Sequence, residues 1–223
     1  MSNARILGFA LAIVGGWILF ATQSRAQVNQ GGNYPPVGGI QRHHDPGPVP
    51  IGGKIDGGGK IQPTGQPGFA VCFGDGRNGK CPSGMPGLKG HGCDNSAFTG
   101  GALLEASGAA KVSKDTMHVQ VTGMVPNTTA IFMQGSTIGK VGTPFGDGLL
   151  CLTGSVIKIG VKTTLYGAAE YPQYGDEPIC DKGAVPAFGA TRYYQVLYRD
   201  EGAGHVEKNH FNLSNAWMTV WTP

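Results

Sequence analysis

The sequence predicts an all-β protein, an antiparallel β-sandwich of jelly-roll or immunoglobulin-like type, and three observations carry that reading. Residues 191–200, TRYYQVLYRD, alternate with the period of two that a pleated strand demands: Tyr194, Val196 and Tyr198 fall on one face, Tyr193, Gln195 and Leu197 on the other. Both faces carry large apolar bodies, which places this strand in the middle of a sheet with neighbours on each side. Glycine is abundant at 39 residues and charged residues make up only 14% of the chain, a balance that suits turn-rich β structure better than helix. Finally, the apolar runs are short and punctuated by Gly and Pro, and none keeps a helical period.

The chain divides into three stretches. Residues 1–26 read as a secretory signal peptide, with Arg5 as the positive head, an apolar run over residues 6–20, and the small residues Ser24 and Ala26 before a cut at Gln27. Retention as an N-terminal anchor is the alternative. Cleavage removes Arg5 and Arg25 and leaves 15 basic and 14 acidic residues, a net charge of +1. That excludes the strongly basic surfaces that hold nucleic acid or anionic lipid. Residues 27–68 contain 12 Gly and 7 Pro in 42 positions. With so few apolar side chains they cannot offset their own ordering entropy, and a disordered linker is expected. His43 and His44 in this stretch read as solvated linker histidines. The folded domain is expected over 69–223, long enough for one core.

Within that domain the strands are expected in order. Residues 70–73 form a short one, ahead of a Gly-rich loop with so few apolar side chains that disulfides must hold it. Candidate strands follow at 102–107 and 109–113. Residues 116–122 alternate cleanly, with Met117, Val119 and Val121 inward and His118, Gln120 and Thr122 outward. Further strands are expected at 129–134, 149–152, 155–163, 191–200, 209–212 and 216–222. The quartet Phe73-Gly74-Asp75-Gly76 recurs as Phe145-Gly146-Asp147-Gly148, and both copies read as tight turns.

Five cysteines, Cys72, Cys81, Cys93, Cys151 and Cys180, are an odd number, so at least one is free or bridges two chains. Two disulfides among the first four leave Cys180 as the free thiol. The preferred pairs are Cys72–Cys81 and Cys93–Cys151, although spacing does not fix connectivity. Zinc on Cys72, Cys81 and Cys93 is disfavoured because no C-x2-C pair is present. Turn residues surround Cys180 and predict exposure, and Asp176, Glu177 and Asp181 beside it disfavour its thiolate. A buried, inert thiol and a covalent dimer are the alternatives.

No catalytic signature is present: no G-x-S-x-G elbow, no H-E-x-x-H, and no spacing that pairs Glu105, Glu170, Asp176 or Glu177 as acid and base. Asp75 and Asp147 sit in similar turns, but neither turn has the alternating carboxylates of a dedicated calcium loop. No cofactor is expected. Tyr166, Tyr171, Tyr174 and Phe188 fall within 165–190, a connection too irregular for a strand. Loop aromatics stack on sugars or anchor a partner, whereas a long connection also folds back and tucks its tyrosines against the core.

The segments CFGDG at 72–76, CPSG at 81–84, GHGCDNS at 90–96, PFGDGLLC at 144–151, TRYYQVLYRD, FNLSNAW and the closing WTP together resemble a family of secreted, disulfide-bearing β domains of environmental bacteria. The resemblance covers residues 70–223. It implies a secreted β domain and brings no catalytic residues with it. Where that family reads CPCG this chain has Ser83, and the family's cysteine before the FNL segment is missing too, which implies that a whole bridge is lost. Cys180 stands where the family places a small polar residue.

The function expected is therefore an exported, non-enzymatic binding or structural module, secreted or at the cell surface, with a glycan or another surface protein as partner. It has no nucleic-acid role and no stable membrane insertion after cleavage. The second reading is a carbohydrate-binding module using the aromatics of 165–190, and the third a metal-assisted hydrolase.

Overall fold

The computed structural model describes residues 66–201 and 210–223. The signal-peptide segment and nearly all of the expected linker lie outside the described residues. Gln66 to Gly68 are described, and Gly68 is buried against strand β9, where a Cβ would meet the carbonyl oxygen of Met218 at 1.8 Å. The packed domain therefore begins slightly before Phe69.

The described residues are mostly antiparallel β. The strands are β1 (Phe69–Cys72), β2 (Leu103–Ser107), β3 (His118–Thr122), β4 (Thr129–Phe145), β5 (Gly148–Thr163), β6 (Ala169–Tyr171), β7 (Thr191–Arg199), β8 (Phe211–Leu213) and β9 (Ala216–Val220). One helical turn, α1, spans Ile179–Lys182, and a 3-10 turn spans Val112–Lys114. The larger sheet runs β1-β9-β7-β4-β5, with β8 also on β7, and the smaller runs β2-β3-β6.

Strand β7 lies inside its sheet, between β4 on one side and β8 and β9 on the other. Tyr194, Val196 and Tyr198 enter the core. On the opposite face Gln195 is also buried, and its polarity is answered locally: its amide donates to the carbonyls of Leu149 (2.8 Å) and Ser214 (2.9 Å) and accepts the Cys151 N–H (3.0 Å). Such a satisfied amide costs little to bury. One buried cluster draws on both sheets: Leu104, Val119 and Val121 from the smaller, Phe132, Ile159, Tyr194, Val196, Tyr198 and Trp217 from the larger. At its polar seam the Tyr194 hydroxyl donates to Gln134 Oε1 (3.0 Å) and accepts the Trp221 indole N–H (2.8 Å).

Two expectations about strands are corrected. Residues 109–113 form no strand: Lys111 makes a single bridge to Thr222, Val112 donates to the same residue's carbonyl, and the 3-10 turn starts at Val112 and runs on to Lys114. β4 and β5 are also far longer than expected and form one hairpin, which closes where Phe145 pairs with Gly148 around Gly146-Asp147. Gly146 is needed there twice over, since its φ is 62° and a Cβ would lie 2.3 Å from the Phe211 carbonyl oxygen. Register slips between Ile138 and Thr143, so residues 139–142 bulge from the hairpin. Asn78 anchors the bulge by accepting the Gly142 N–H at its backbone carbonyl (2.8 Å).

The disulfides join Cys72 to Cys151 and Cys81 to Cys93, not Cys72 to Cys81 and Cys93 to Cys151 as expected. The reason lies in the topology. Cys72 ends β1 opposite Ala216, and Cys151 from β5 packs with both. Cys81 and Cys93 stay within the Gly-rich loop, against Leu149. Cys180 is unpaired and buried, in place of the exposure expected for it.

A candidate binding cleft beside Tyr174

Pairing of β6 with β3 decides where the aromatics of the connection go. The register sets Tyr171 opposite Val119 and Glu170 opposite Gln120, so Tyr171 points inward and Glu170 outward. Tyr171 is only 3% exposed, packs against the Phe132 ring at 6.0 Å, and donates its hydroxyl to the Glu177 carbonyl (2.9 Å). Gly160 makes room for it, since a Cβ there would sit 2.5 Å from the ring. Burial, then the charges of Asp176, Glu177 and Asp115, push its phenol up to about 12. Tyr171 is a core residue, in line with the reading in which the connection tucks its tyrosines inward, and its place among the candidate binding aromatics is corrected. Tyr166, Tyr174 and Phe188 are strongly exposed. Of the three, Tyr174 alone lines the cleft described next; Tyr166 precedes β6 and Phe188 precedes β7.

Beyond β6 the chain folds back over the outer end of β3 and leaves a cleft of about 340 Å³. Asp115, Thr116, Met117 and His118 form one wall; Glu170, Pro172, Gln173, Tyr174, Asp176 and Pro178 form the other. Asp115 is fixed by two backbone donors, Met117 N–H to Oδ1 (2.8 Å) and Cys180 N–H to Oδ2 (2.9 Å). Asp176 accepts the Gln173 N–H (2.7 Å) and pairs with Lys162. Its burial works to raise its pKa, but the Lys162 ammonium and that N–H outweigh burial and hold the carboxyl below its ordinary value. On the far side of Asp176 lies a second cleft of about 360 Å³, with Lys158, Tyr171, Glu177 and Lys182 among its lining residues. The stretch from Gln173 to Glu177 is thus a ridge between two open clefts.

Behind the ridge, α1 buries Ile179 and Cys180. Burial first, then Asp115 and Asp181, push the Cys180 thiol up to about 12, so it stays protonated near neutrality. Of the acids expected to act on it from the sequence, Asp181 is among the causes, while Asp176 and Glu177 are not; Asp115 acts from across the fold.

A cleft with a flat exposed ring at its rim and carboxylate, imidazole and amide groups on its walls can stack and hydrogen-bond a polar ligand. Asp115, His118, Glu170 and Gln173 were not expected as partners. Alternation along residues 116–122 turns His118 outward, but no sequence signal says that 172–178 folds back over it. The Gly-rich turns behave differently. Both Asp75 oxygens engage the Arg77 guanidinium, and Oδ2 also accepts the Gly90 N–H (2.9 Å), which leaves this carboxylate poorly placed to ligate calcium. The Asp147 N–H donates to the Phe211 carbonyl (2.9 Å) in the hairpin turn. Among the described residues no three His, Cys, Asp or Glu side chains group as a metal site. Two disulfides, with no helix among the described residues long and apolar enough to cross a membrane, are compatible with an extracellular protein. No family model, curated protein or solved structure matches the chain.

Proposed function

We propose that this chain is an exported binding module, a β-sandwich that holds its ligand beside Tyr174 without converting it. The observation that carries the reading is the cleft itself: a wholly exposed tyrosine rises over a polar recess whose walls come from separate elements, β3, β6 and the ridge. What sets Tyr174 apart from the other exposed aromatics of the connection is the cleft beside it, over which its ring face is free to stack on a ligand. The sandwich arrangement is supported by the buried cluster that takes side chains from both sheets. Export is supported by the apolar N-terminal run and by the disulfides, which persist in oxidising compartments.

A saccharide is the ligand class this chemistry fits. Tyr174 offers a ring face for stacking, and Glu170, His118 and Gln173 offer acceptors and donors for hydroxyls. Screening the protein on a glycan array, followed by calorimetric titration of the hits, tests the proposal. Tyr174→Ala should abolish or weaken binding at least tenfold while the thermal midpoint stays unchanged, because the side chain packs on nothing it must support. Retained binding in that variant refutes the cleft as the site.

A further inference from the structure

The cleft beside Tyr174 is acidic. Asp115, Glu170 and Asp176 stand on its walls, His118 is the remaining titratable group there, and no Lys or Arg lines it. Only Asp176 meets a cation, Lys162 at 2.5 Å. Asp115 is held by two neutral backbone donors, and Glu170 is exposed with no ion-pair partner among the described residues.

The same sign continues along the outward face of the smaller sheet. Register sets Glu105 opposite Gln120 and Gln120 opposite Glu170. Two exposed carboxylates therefore flank one amide across three strands, roughly 10 Å apart at two strand spacings. β2, β3 and β6 contain no Lys or Arg. The cations on the adjoining elements lie elsewhere. Lys182 pairs with Glu177 (3.1 Å), Lys158 lines the second cleft across the ridge, and Lys111 and Lys114 are exposed on the chain before Asp115 without lining the cleft. The field behind the walls is negative in consequence. After burial, Asp176, Glu177 and Asp115 raise the Tyr171 phenol, Asp115 and Asp181 raise the Cys180 thiol, and no cation opposes either.

A neutral sugar leaves that excess of negative charge unanswered, and an anionic sugar adds to it. An ammonium group removes it, and also suits the open face of Tyr174, because an aromatic face attracts a cation. Given that this cleft is a saccharide site, as proposed above, we infer that its ligand is an amino sugar, with free ammonium groups against Glu170 and Asp115 and a sugar ring on Tyr174. A polymer with an amine on every unit, running across the strands, meets Glu105 as well.

The test is titration calorimetry of the full chain with a glucosamine hexamer and its fully N-acetylated counterpart, at a pH where the amines are protonated. Acetylation removes the charge and keeps the ring. The glucosamine hexamer should bind about tenfold tighter, and the preference should shrink as salt is added. Glu170→Gln should cut that preference about threefold, and Glu105→Gln by less, without moving the thermal midpoint, since both side chains are exposed. Equal or tighter binding of the acetylated hexamer, lost in Tyr174→Ala, overturns the amino-sugar assignment and leaves a saccharide site. Array hits confined to neutral or acidic glycans do the same. No glycan binding at all overturns the saccharide reading and the amino-sugar assignment together. Binding of the glucosamine hexamer that Tyr174→Ala and Glu170→Gln both leave intact overturns the assignment in favour of charge attraction elsewhere. A lysine hexapeptide that binds as tightly, with the same dependence on Tyr174, overturns it in favour of a basic peptide.

Discussion

Two long irregular stretches of this domain are held in opposite ways. Between β1 and β2, residues 73–102 bury few large apolar side chains. They are fixed by the Cys81–Cys93 bridge, by Asp94 accepting the Gly100 N–H (2.8 Å), and by backbone contacts such as Gly74 N–H to His91 O (2.8 Å). Glycine permits that density: at Gly74 a Cβ would meet the Cys93 nitrogen at 2.1 Å. Residues 164–190, by contrast, have no covalent tie. They are held by Tyr171, Ile179, Cys180 and Val185 in the core, and by Gln134 donating to the Gly183 carbonyl (2.7 Å). A covalent staple replaces apolar burial, whereas an unstapled connection must commit side chains inward and can expose only those left over. Tyr166, Tyr174 and Phe188 are what is left over.

The largest expected effect comes from the staple that closes the longer loop. Cys72 and Cys151 are 79 residues apart, against 12 for Cys81 and Cys93. Loop-closure entropy then predicts a loss of about 4–5 kcal/mol for the double serine variant at the first bridge and about 3 kcal/mol at the second. Urea unfolding of the two double variants measures both, and equal losses would break the argument. Next comes the connection. Ile179→Ala should cost about 2–4 kcal/mol and open residues 164–190 to protease while leaving residues 73–102 protected. Limited proteolysis with mass mapping reads this, and cleavage in both stretches together would show that they are held as one unit.

A smaller effect sharpens the polar side of the comparison. The hydrogen-bonded Arg77 holds the Asp75 carboxyl down from 3.8 to about 2. A carboxyl lowered by folding stabilises the fold at pH above its unfolded value, and that contribution is lost as pH falls through the folded one. The wild-type protein should therefore lose this increment between about pH 4 and pH 2, whereas Asp75→Asn should lack that part of the acid limb and be about 1 kcal/mol less stable at neutral pH. Chemical denaturation at several pH values distinguishes the two.

How much of this could be read in advance follows from the kind of signal. The alternation of residues 116–122 needs only local sterics and one buried face, and β3 shows it side chain by side chain, whereas β7 buries Gln195 between Tyr194 and Val196 and was legible from the large apolar bodies on its two faces. Residues 109–113 misled because Ala110 and Val112 are spaced as in a strand, but both bond to Thr222 and the 3-10 turn begins at Val112. The candidate cleft was illegible because it depends on β6, three residues long and recognisable only by its pairing with β3. The bond from Asp115 to the Cys180 backbone crosses 65 positions, and no local pattern encodes it.

The two bridges are nested, Cys81–Cys93 lying inside the span of Cys72–Cys151. Synthesis runs from the N-terminus, so Cys72, Cys81 and Cys93 are all made well before Cys151. During that interval the nearest thiol to Cys72 along the chain is Cys81. A ring closed between those two in an oxidising compartment would have to be reopened by thiol exchange before Cys72 could reach Cys151, so refolding from the reduced chain without a disulfide isomerase should be slower than with one.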